Sequence, residues 1–263
     1  MDLGLKGKIV VVGGASKGIG KATALVFARE GAKVAIAARD PDMLQGTAEE
    51  IRKETGGEVL PIPGDLSQAQ AVEQLIDETV DHFGTVHVVV ANTGGPPLGG
   101  FNNMSDADWE NAFALNFLST VRLFRKALPH MQKQQWGRLL SVMSMSVKEP
   151  IDGLILSNGV RPAVVGMAKT LSREVGKYNI TVNTVLPGRI LTDRLKGGIT
   201  ARAQRTNKSF DEALKESAAD VPLGRIGDPE EMANVIVFLA SEAASYVNGV
   251  SIQVDGGLIR GLL

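Results

Sequence analysis

The 263-residue sequence contains no cysteine. Disulfide bonds, thiolate metal sites and cysteine nucleophiles are therefore excluded. Neither sign of charge dominates, because 28 lysines and arginines face 29 aspartates and glutamates, for a formal net charge of −1. A balance so close to neutral argues against nucleic acid or an anionic membrane as a partner and favours a small-molecule substrate.

Long hydrophobic runs are missing as well. No stretch approaches the roughly 20 apolar residues that a membrane-spanning helix needs. The first residues, MDLGLKGK, lack the apolar segment of a signal peptide. No Pro- or Ser-rich linker, charge run or repeat of fixed period divides the chain. We therefore expect a single domain over residues 1–263, in a cytoplasmic protein without a membrane partner.

What is present is an alternation of short apolar segments with longer segments of helical periodicity, which is typical of a parallel α/β sheet. Seven segments are predicted strands: 9–12, 34–38, 59–63, 86–91, 138–142, 181–186 and 250–254. Helices are predicted over 21–30, 43–54, 68–83, 106–134 (one or two helices) and 164–175. The polar segment 191–221 is expected to form helices of a mobile substrate lid. The pattern predicts a doubly wound, seven-stranded parallel sheet with helices on both faces.

A glycine-rich segment, GGASKGIG, lies between the first predicted strand and the first predicted helix. Glycines let such a turn approach a pyrophosphate, which then binds the free N–H groups at the helix N-terminus. The residues expected to form this cradle are Gly14, Ser16, Lys17, Gly18, Ile19 and Gly20. A tight turn without a ligand is the alternative, but the strand–turn–helix context favours a dinucleotide site on a Rossmann fold.

The spacing from Gly14 to Gly20, Gly-x-x-x-Gly-x-Gly, resembles that of the short-chain dehydrogenase/reductase family, and in particular its 3-oxoacyl-acyl-carrier-protein reductases. Gly13 departs from the family's usual threonine, which we expect to cost one hydrogen bond within the turn. The segment 254–257, VDGG, resembles the family's C-terminal motif. The resemblance implies cofactor contacts by further residues: Asp65 and Leu66 at the adenine, Asn92 and Gly94 after the fourth strand, and Pro187, Gly188 and Thr192 beside the nicotinamide.

The charge at the end of the second predicted strand indicates which dinucleotide binds. NAD-specific proteins place Asp or Glu there. This chain has Ala38 followed by Arg39, with Lys17 in the glycine-rich turn. Two cations favour a 2′-phosphate and hence NADP(H), although Asp40 lies one residue further on. Alternatively, Lys17 and Arg39 are ordinary solvated charges.

The resemblance also implies a catalytic group of Asn, Ser, Tyr and Lys. Asn116 and Ser144 match the first two, and a Tyr-x-x-x-Lys motif is then expected to begin at position 157. Residues 157–161 read SNGVR instead, and the chain's two tyrosines, Tyr178 and Tyr246, lie elsewhere. Ser157 and Arg161 therefore stand where the family has its Tyr and Lys.

This exchange changes the chemistry that can be expected. An aliphatic hydroxyl is far less acidic than a phenol, so Ser157 is a poor proton donor. Arg161 stays protonated, although its planar guanidinium can hold ribose hydroxyls. Lys148, on the loop that borders the family's substrate pocket, is the candidate replacement acid. A solvated Lys148 paired with Glu149 is the alternative. No His, Asp and Glu residues have the spacing of metal ligands.

Two hypotheses of different classes remain. The first is an NADP(H)-dependent oxidoreductase that transfers hydride to or from a carbonyl or an imine, with an altered proton relay. A protonated imine would need no acid. The second is a catalytically silent NADP(H)-binding or -sensing protein, against which Ser144 and Asn116 argue.

The family resemblance also implies a homotetramer or homodimer. Within segment 191–221, cations either attract an anionic substrate or form a solvated helix face. These cations are Arg194, Lys196, Arg202, Arg205 and Lys208.

Overall fold

The computed structural model describes residues 2–262, in which strands and helices alternate as predicted. The strands are β1 (Ile9–Gly13), β2 (Lys33–Ala38), β3 (Val59–Pro63), β4 (Val88–Ala91), β5 (Gly137–Val142), β6 (Ile180–Pro187) and β7 (Ser251–Val254). The helices are α1 (Gly18–Arg29), α2 (Pro41–Thr55), α3 (Ala69–Phe83), α4 (Asp106–Phe113), α5 (Ser119–Gln134), α6 (Ile155–Val175), α7 (Asp193–Thr206), α8 (Phe210–Ser217) and α9 (Pro229–Ala240). Within this described range, no helix is both long and apolar enough to cross a membrane.

The strands form one parallel sheet in the order β3-β2-β1-β4-β5-β6-β7. Strands β1, β4 and β5 are buried along their whole length, as strands covered on both faces must be. One core packs the sheet against α1, α2 and α9, and the other packs it against α3, α5 and α6. The predicted doubly wound fold is confirmed. Its strand order reverses between β1 and β4, and ligands bind at that point in such sheets.

Helix α6 begins at Ile155, nine residues before the predicted start at 164, so that boundary was wrong. Pro162 lies inside the helix, and because proline lacks an N–H group it usually marks a helix start or break. Here packing outweighs that cost, since Leu156 and Val160 bury their side chains against Ala112 of α4. The additional helical turns bring residues 157 and 161 onto α6.

The predicted helices of segment 191–221 are present as α7 and α8. Thr192 and Ser209 cap their N-termini through side-chain oxygens. The two helices pack on each other through a small apolar cluster that includes Ile199 and Ala213 and is separate from the two main cores. Whether this pair moves as a lid remains a prediction.

His87 precedes β4, at the end of the sheet opposite to the strands' carboxyl ends. Its Nδ1 accepts a hydrogen bond from the Ile9 N–H at 3.0 Å, and its ring packs edge-on against Trp136 with centroids 5.8 Å apart. Burial first, and then the cation of Lys8, lowers the pKa of His87 to about 4. The neutral ring is thus the form that fits this position.

We expect His87 to make the fold sensitive to acid. Its folded pKa of about 4 lies below the ordinary 6.5, so the unfolded chain binds more protons between these values. The stability is then complete above pH 6.5 and is lost as the pH falls towards 4. Because the ring is only half-buried, solvent screens part of the effect, and we expect a loss of about 1–2 kcal/mol.

Urea unfolding at about pH 7.5 and about pH 4.5 measures this loss. His87→Asn, whose side-chain oxygen can accept the same hydrogen bond, should have a flatter pH dependence than the unmodified protein. His82→Asn, at an exposed position on α3, is the control and should keep the original slope. Equal slopes for all three proteins would contradict the prediction.

Candidate active site

A cavity of about 1250 Å³ opens at the carboxyl ends of the strands. The loops after β1, β2, β4, β5 and β6 all contribute to its lining. Every residue predicted to contact the cofactor lies on it: Gly14, Ser16, Lys17, Gly18, Ile19, Gly20, Arg39, Asp65, Leu66, Asn92, Gly94, Arg161, Pro187, Gly188 and Thr192. Sequence positions up to about 180 residues apart thus meet in one site, as the sheet topology requires.

The turn after β1 depends on glycine for both its shape and its close contacts. Gly14 and Gly18 have left-handed backbones, with φ of 58° and 57°. A Cβ atom on Gly20 would lie 2.3 Å from the Gly14 carbonyl oxygen. Asn92, at the end of β4, donates from Nδ2 to the carbonyl oxygens of Gly13 at 3.0 Å and Gly14 at 3.4 Å. The end of β4 therefore holds the glycine-rich turn in place.

Gly13 has a steric explanation in this backbone. A Cβ atom there would lie 2.7 Å from the Asn92 carbonyl oxygen and 2.9 Å from Cδ1 of Leu66. The threonine usual in the family does not fit unless these groups move. The hydrogen bonds that steady the turn come from the Asn92 amide instead.

The N-terminus of α1 points at the cavity. Lys17 is its N-cap residue, and in the described chain no side chain caps it and no acidic residue occupies its first turn. The first N–H groups of a helix have no partner within the helix, and its dipole favours an anion there. A pyrophosphate fits this position.

Lys17 and Arg39 lie exposed on the cavity wall. Neither forms an ion pair with any residue in 2–262. The carboxylate of Asp40 caps α2, where its Oδ1 accepts a hydrogen bond from the Met43 N–H at 3.0 Å. This helix-capping role explains an acidic residue beside two cations. The pair remains available for a phosphate.

A π-helical turn, Ala114–Leu118, joins α4 to α5 and holds Asn116 fully buried. Its Nδ2 donates to Thr93 Oγ1 and to the Gly94 carbonyl oxygen, both at 3.0 Å. Its Oδ1 is buried without a partner among the described residues. Such π-turns are frequent at functional sites. Here the side chain of Asn116 positions the loop after β4, and it does not line the cavity itself.

Three serines lie together at the other end of the cavity. Ser144 Oγ accepts a hydrogen bond from the Ser146 N–H at 3.1 Å, and Ser146 Oγ lies 3.0 Å from Ser157 Oγ. Ser146 and Ser157 are buried, while Ser144 and Ser157 line the cavity. The link through Ser146 joins β5 to α6. Sequence analysis had no signal for it, because the two partners are eleven residues apart and their contact is tertiary.

Arg161 lies one helical turn after Ser157 on α6 and is almost fully buried. Its Nη1 donates to the carbonyl oxygens of Met143 at 2.6 Å and Val142 at 3.4 Å. Its Nε is sealed without a partner, and no carboxylate in the described chain pairs with it. Burial first, and then the cation of Arg194, lowers the pKa of Arg161 to about 10. A charged guanidinium without a counterion thus borders the cavity.

Lys148 is not in the position that we predicted for a proton donor. A short 3₁₀ turn, Met145–Val147, carries the chain past the cavity edge, and Lys148 Nζ lies 3.4 Å from Gln253 Oε1 on β7. Glu149 lines the cavity, whereas Lys148 does not. The alternative of a Lys148–Glu149 pair is absent too from the ion pairs within residues 2–262. The assignment of Lys148 as the replacement acid is therefore corrected.

Of the five cations predicted on the lid, Arg194 alone lines the cavity in the described structure. Its Nη2 donates to the Pro96 carbonyl oxygen at 2.9 Å, and its Nη1 occupies the space that a Cβ atom on Gly95 would need. Arg202 and Lys208 instead pair with Glu216 on the outside of the lid. The solvated-face alternative therefore holds for Arg202 and Lys208.

The doubly wound sheet, the glycine cradle and the cavity at the strand ends define a dinucleotide-binding protein of the Rossmann class. A short-chain dehydrogenase model described as Enoyl-(Acyl carrier protein) reductase matches residues 14–259. The chain belongs to the short-chain dehydrogenase/reductase family, and the family prediction is confirmed.

Relatives of known name agree with this assignment. The chain is 34% identical to the uncharacterized oxidoreductase YvrD of Bacillus subtilis over 266 residues, with 100% of both chains covered. It is 31% identical to the 3-oxoacyl-[acyl-carrier-protein] reductase FabG of Aquifex aeolicus, over 98% of this chain and 100% of the relative. The solved structure of L-sorbose reductase from Gluconobacter frateurii, complexed with NADPH and L-sorbose, superposes with a TM-score of 0.97 at 32% identity and covers 100% of both chains.

Proposed function

We propose that this protein is an NADP(H)-dependent oxidoreductase that transfers hydride between the cofactor and a carbonyl or imine substrate. In it, Ser157 and Arg161 take the places of the family's Tyr and Lys. The supporting observation is a single cavity that joins a phosphate cradle and two unpaired cations to the hydroxyls of Ser144 and Ser157. The similar L-sorbose reductase is complexed with NADPH.

The donor groups of the cavity fit NADP(H). The glycine-rich turn and α1 suit the pyrophosphate, and Lys17 and Arg39 suit the 2′-phosphate. Asp65 and Leu66 would contact the adenine, and Pro187, Gly188 and Thr192 would border the nicotinamide, as the family resemblance implies. When bound, the cofactor supplies or accepts the hydride.

The protein's own groups at the reaction centre hold and polarise the substrate. The hydroxyls of Ser144 and Ser157 donate hydrogen bonds to the carbonyl oxygen or imine nitrogen. The cation of Arg161 stabilises the negative charge that develops there. Because a serine hydroxyl is a weak acid, the proton for a carbonyl oxygen comes from water in the open cavity. A protonated imine needs none.

We also propose that α7 and α8 act as a lid, and that the chain assembles as a homotetramer or homodimer. The separate apolar cluster of these two helices and the bond from Arg194 to the Pro96 carbonyl support the lid. The exposed Phe113, whose ring stacks on Phe117 at 4.8 Å, supports an interface on this side of the molecule. Light scattering after gel filtration tests the assembly.

The function is tested by NADPH fluorescence titration, followed by a panel of ketones, aldehydes and cyclic imines with NADPH as the reductant. We expect saturable binding and turnover. Binding without any turnover would favour the silent cofactor-binding protein, and absence of binding would refute both hypotheses. Lys148→Ala should keep kcat within about threefold, because its amino group lies on β7; a loss of 100-fold or more would restore it as the acid.

The cofactor preference gives a further prediction. Arg39→Ala should weaken NADPH binding by about 10- to 30-fold and leave NADH binding nearly unchanged, because one charged contact to the 2′-phosphate is lost. Lys17→Ala should act in the same direction. Titration of both cofactors measures the effect, with Lys53→Ala on the exposed face of α2 as the control. A parallel loss for NADPH and NADH would assign these cations to the pyrophosphate instead.

A further inference from the structure

The guanidinium of Arg161 has bonding capacity that the protein does not use. Its Nη1 is taken by main-chain oxygens, and Nε is sealed. Its Nη2 donates no hydrogen bond within residues 2–262 and, unlike Nε, is not closed off from the cavity. Burying a cation without a counterion is costly. A ligand that brings negative charge to Nη2 would remove this cost.

Arg194 adds a second cation beside the first. The structure fixes it on the wall, where it bonds to the Pro96 carbonyl and fits against Gly95, and its charge is close enough to lower the pKa of Arg161. Gly95 is necessary for this position, because any side chain there would overlap with Arg194 Nη1. Two cations held near one another repel unless an anion lies between them.

The carboxylates on the cavity wall do not compensate this pair. Asp220 is engaged by Arg189, with Nη2 to Oδ2 at 2.8 Å. Glu149 and Asp193 line the cavity but form no ion pair with Arg161 or Arg194 in the described structure. A ribose hydroxyl of the cofactor would accept a hydrogen bond from Arg161 but would bring no charge. The missing partner is an anion.

We propose that the substrate carries a carboxylate next to its reacting carbon, and that Arg161 and Arg194 bind this carboxylate. The inference rests on the proposed function and names its substrate class: 2-oxo acids and 2-imino acids. The position follows from Arg161, whose guanidinium bonds to Met143, the residue before Ser144, and which lies one helical turn from Ser157. An anion held there lies beside the hydroxyls that would bind the reacting oxygen or nitrogen.

The reaction balances without a further reactant. For a 2-oxo acid, hydride from NADPH forms the new C–H bond at C2, and the π electrons of C=O move to oxygen. Oxygen takes one proton from water, which gives a 2-hydroxy acid and NADP⁺. For a protonated 2-imino acid, the π electrons of C=N move to nitrogen, and the product is an amino acid. The carboxylate is unchanged and serves for binding.

Matched pairs of compounds test the proposal: pyruvate with methyl pyruvate, phenylglyoxylate with its methyl ester, and Δ¹-piperideine-2-carboxylate with Δ¹-piperideine. We expect kcat/KM to favour the acid of a pair by at least about tenfold. In Arg194→Leu this preference should disappear. Lys196→Leu removes a cation from the same helix at a position outside the cavity, and it should keep the preference.

A binding measurement separates the anion site from catalysis. Oxalate is titrated calorimetrically into the protein–NADP⁺ complex, and Arg194→Leu should weaken its binding at least about tenfold while Lys196→Leu does not. Equal turnover of acids and their neutral partners would overturn the carboxylate site and leave the proposed function standing. Arg194-dependent oxalate binding without turnover of any compound would support the site and refute the function. Equal oxalate binding by both variants would overturn the site.

Discussion

Replacing Gly20 with alanine is expected to raise the Kd for NADPH by at least about 100-fold and to destabilise the fold by about 3 kcal/mol. The new Cβ would lie 2.3 Å from the Gly14 carbonyl oxygen and 2.8 Å from Asn92 Nδ2. Neither neighbour can yield freely, because the first is backbone and the second holds the turn through Gly13 and Gly14. The turn must shift, and the N–H groups that suit the pyrophosphate shift with it.

Gly46→Ala is the matched control. Gly46 also lies within a helix, α2, but a Cβ atom there meets no atom of the described chain within 4 Å. Alanine should therefore stabilise the protein by about 0.5–1 kcal/mol. NADPH titration and urea unfolding of both variants measure the contrast. Normal NADPH affinity in Gly20→Ala would show that the turn does not need this contact.

The cofactor half of the site was predictable because its signals are local. A glycine-rich segment between an apolar strand and an amphipathic helix specifies a turn, a helix N-terminus and a direction for the ligand within some ten residues. The carboxyl ends of parallel strands meet at one edge, so residues after the other strands follow from the fold. Asn92 shows where this reasoning ends. Its position was predicted, but its hydrogen bonds to Gly13 and Gly14 and the resulting need for glycine at 13 required coordinates.

The substrate half was predictable in composition and not in arrangement. Lys148 is four residues from Ser144 in sequence, yet one 3₁₀ turn directs it to β7. Arg194 was one of several lid cations with no local feature to distinguish it, and its contact with Gly95 spans 99 positions. Such contacts depend on how loops from different strands pack at the edge of the sheet, and periodicity along one segment carries no information on that.

The two halves also differ in energy. The cofactor half uses main-chain groups and glycine, which cost little before the ligand arrives. The substrate half keeps a buried guanidinium that lacks a counterion in residues 2–262. A group that destabilises the free protein is expected where binding or catalysis requires it. Arg161 should therefore trade stability against activity.

We accordingly expect Arg161→Met to stabilise the protein and to inactivate it. Burial lowers the pKa of Arg161 from 12.5 to about 10, so at any pH below 10 the charged form pays a desolvation cost of up to about 3 kcal/mol. Methionine removes that cost and loses the hydrogen bonds to two carbonyls, for a net gain of about 1–2 kcal/mol. Because the cation at the reaction centre is gone, kcat/KM should fall by about 10²- to 10³-fold.

Arg138→Met is the control, since Arg138 is a fully buried arginine outside the cavity whose contacts are satisfied. It stacks on Trp136 at 4.2 Å, donates to the Gly137 and Asn179 carbonyls and lies 3.5 Å from Glu242. Its replacement should destabilise the protein by about 2 kcal/mol and leave kcat/KM unchanged. Urea unfolding and steady-state kinetics on both variants give the comparison. If Arg161→Met were the less stable of the two and kept its activity, the guanidinium would be a structural group, and neither the proposed polarisation nor the anion site could depend on it.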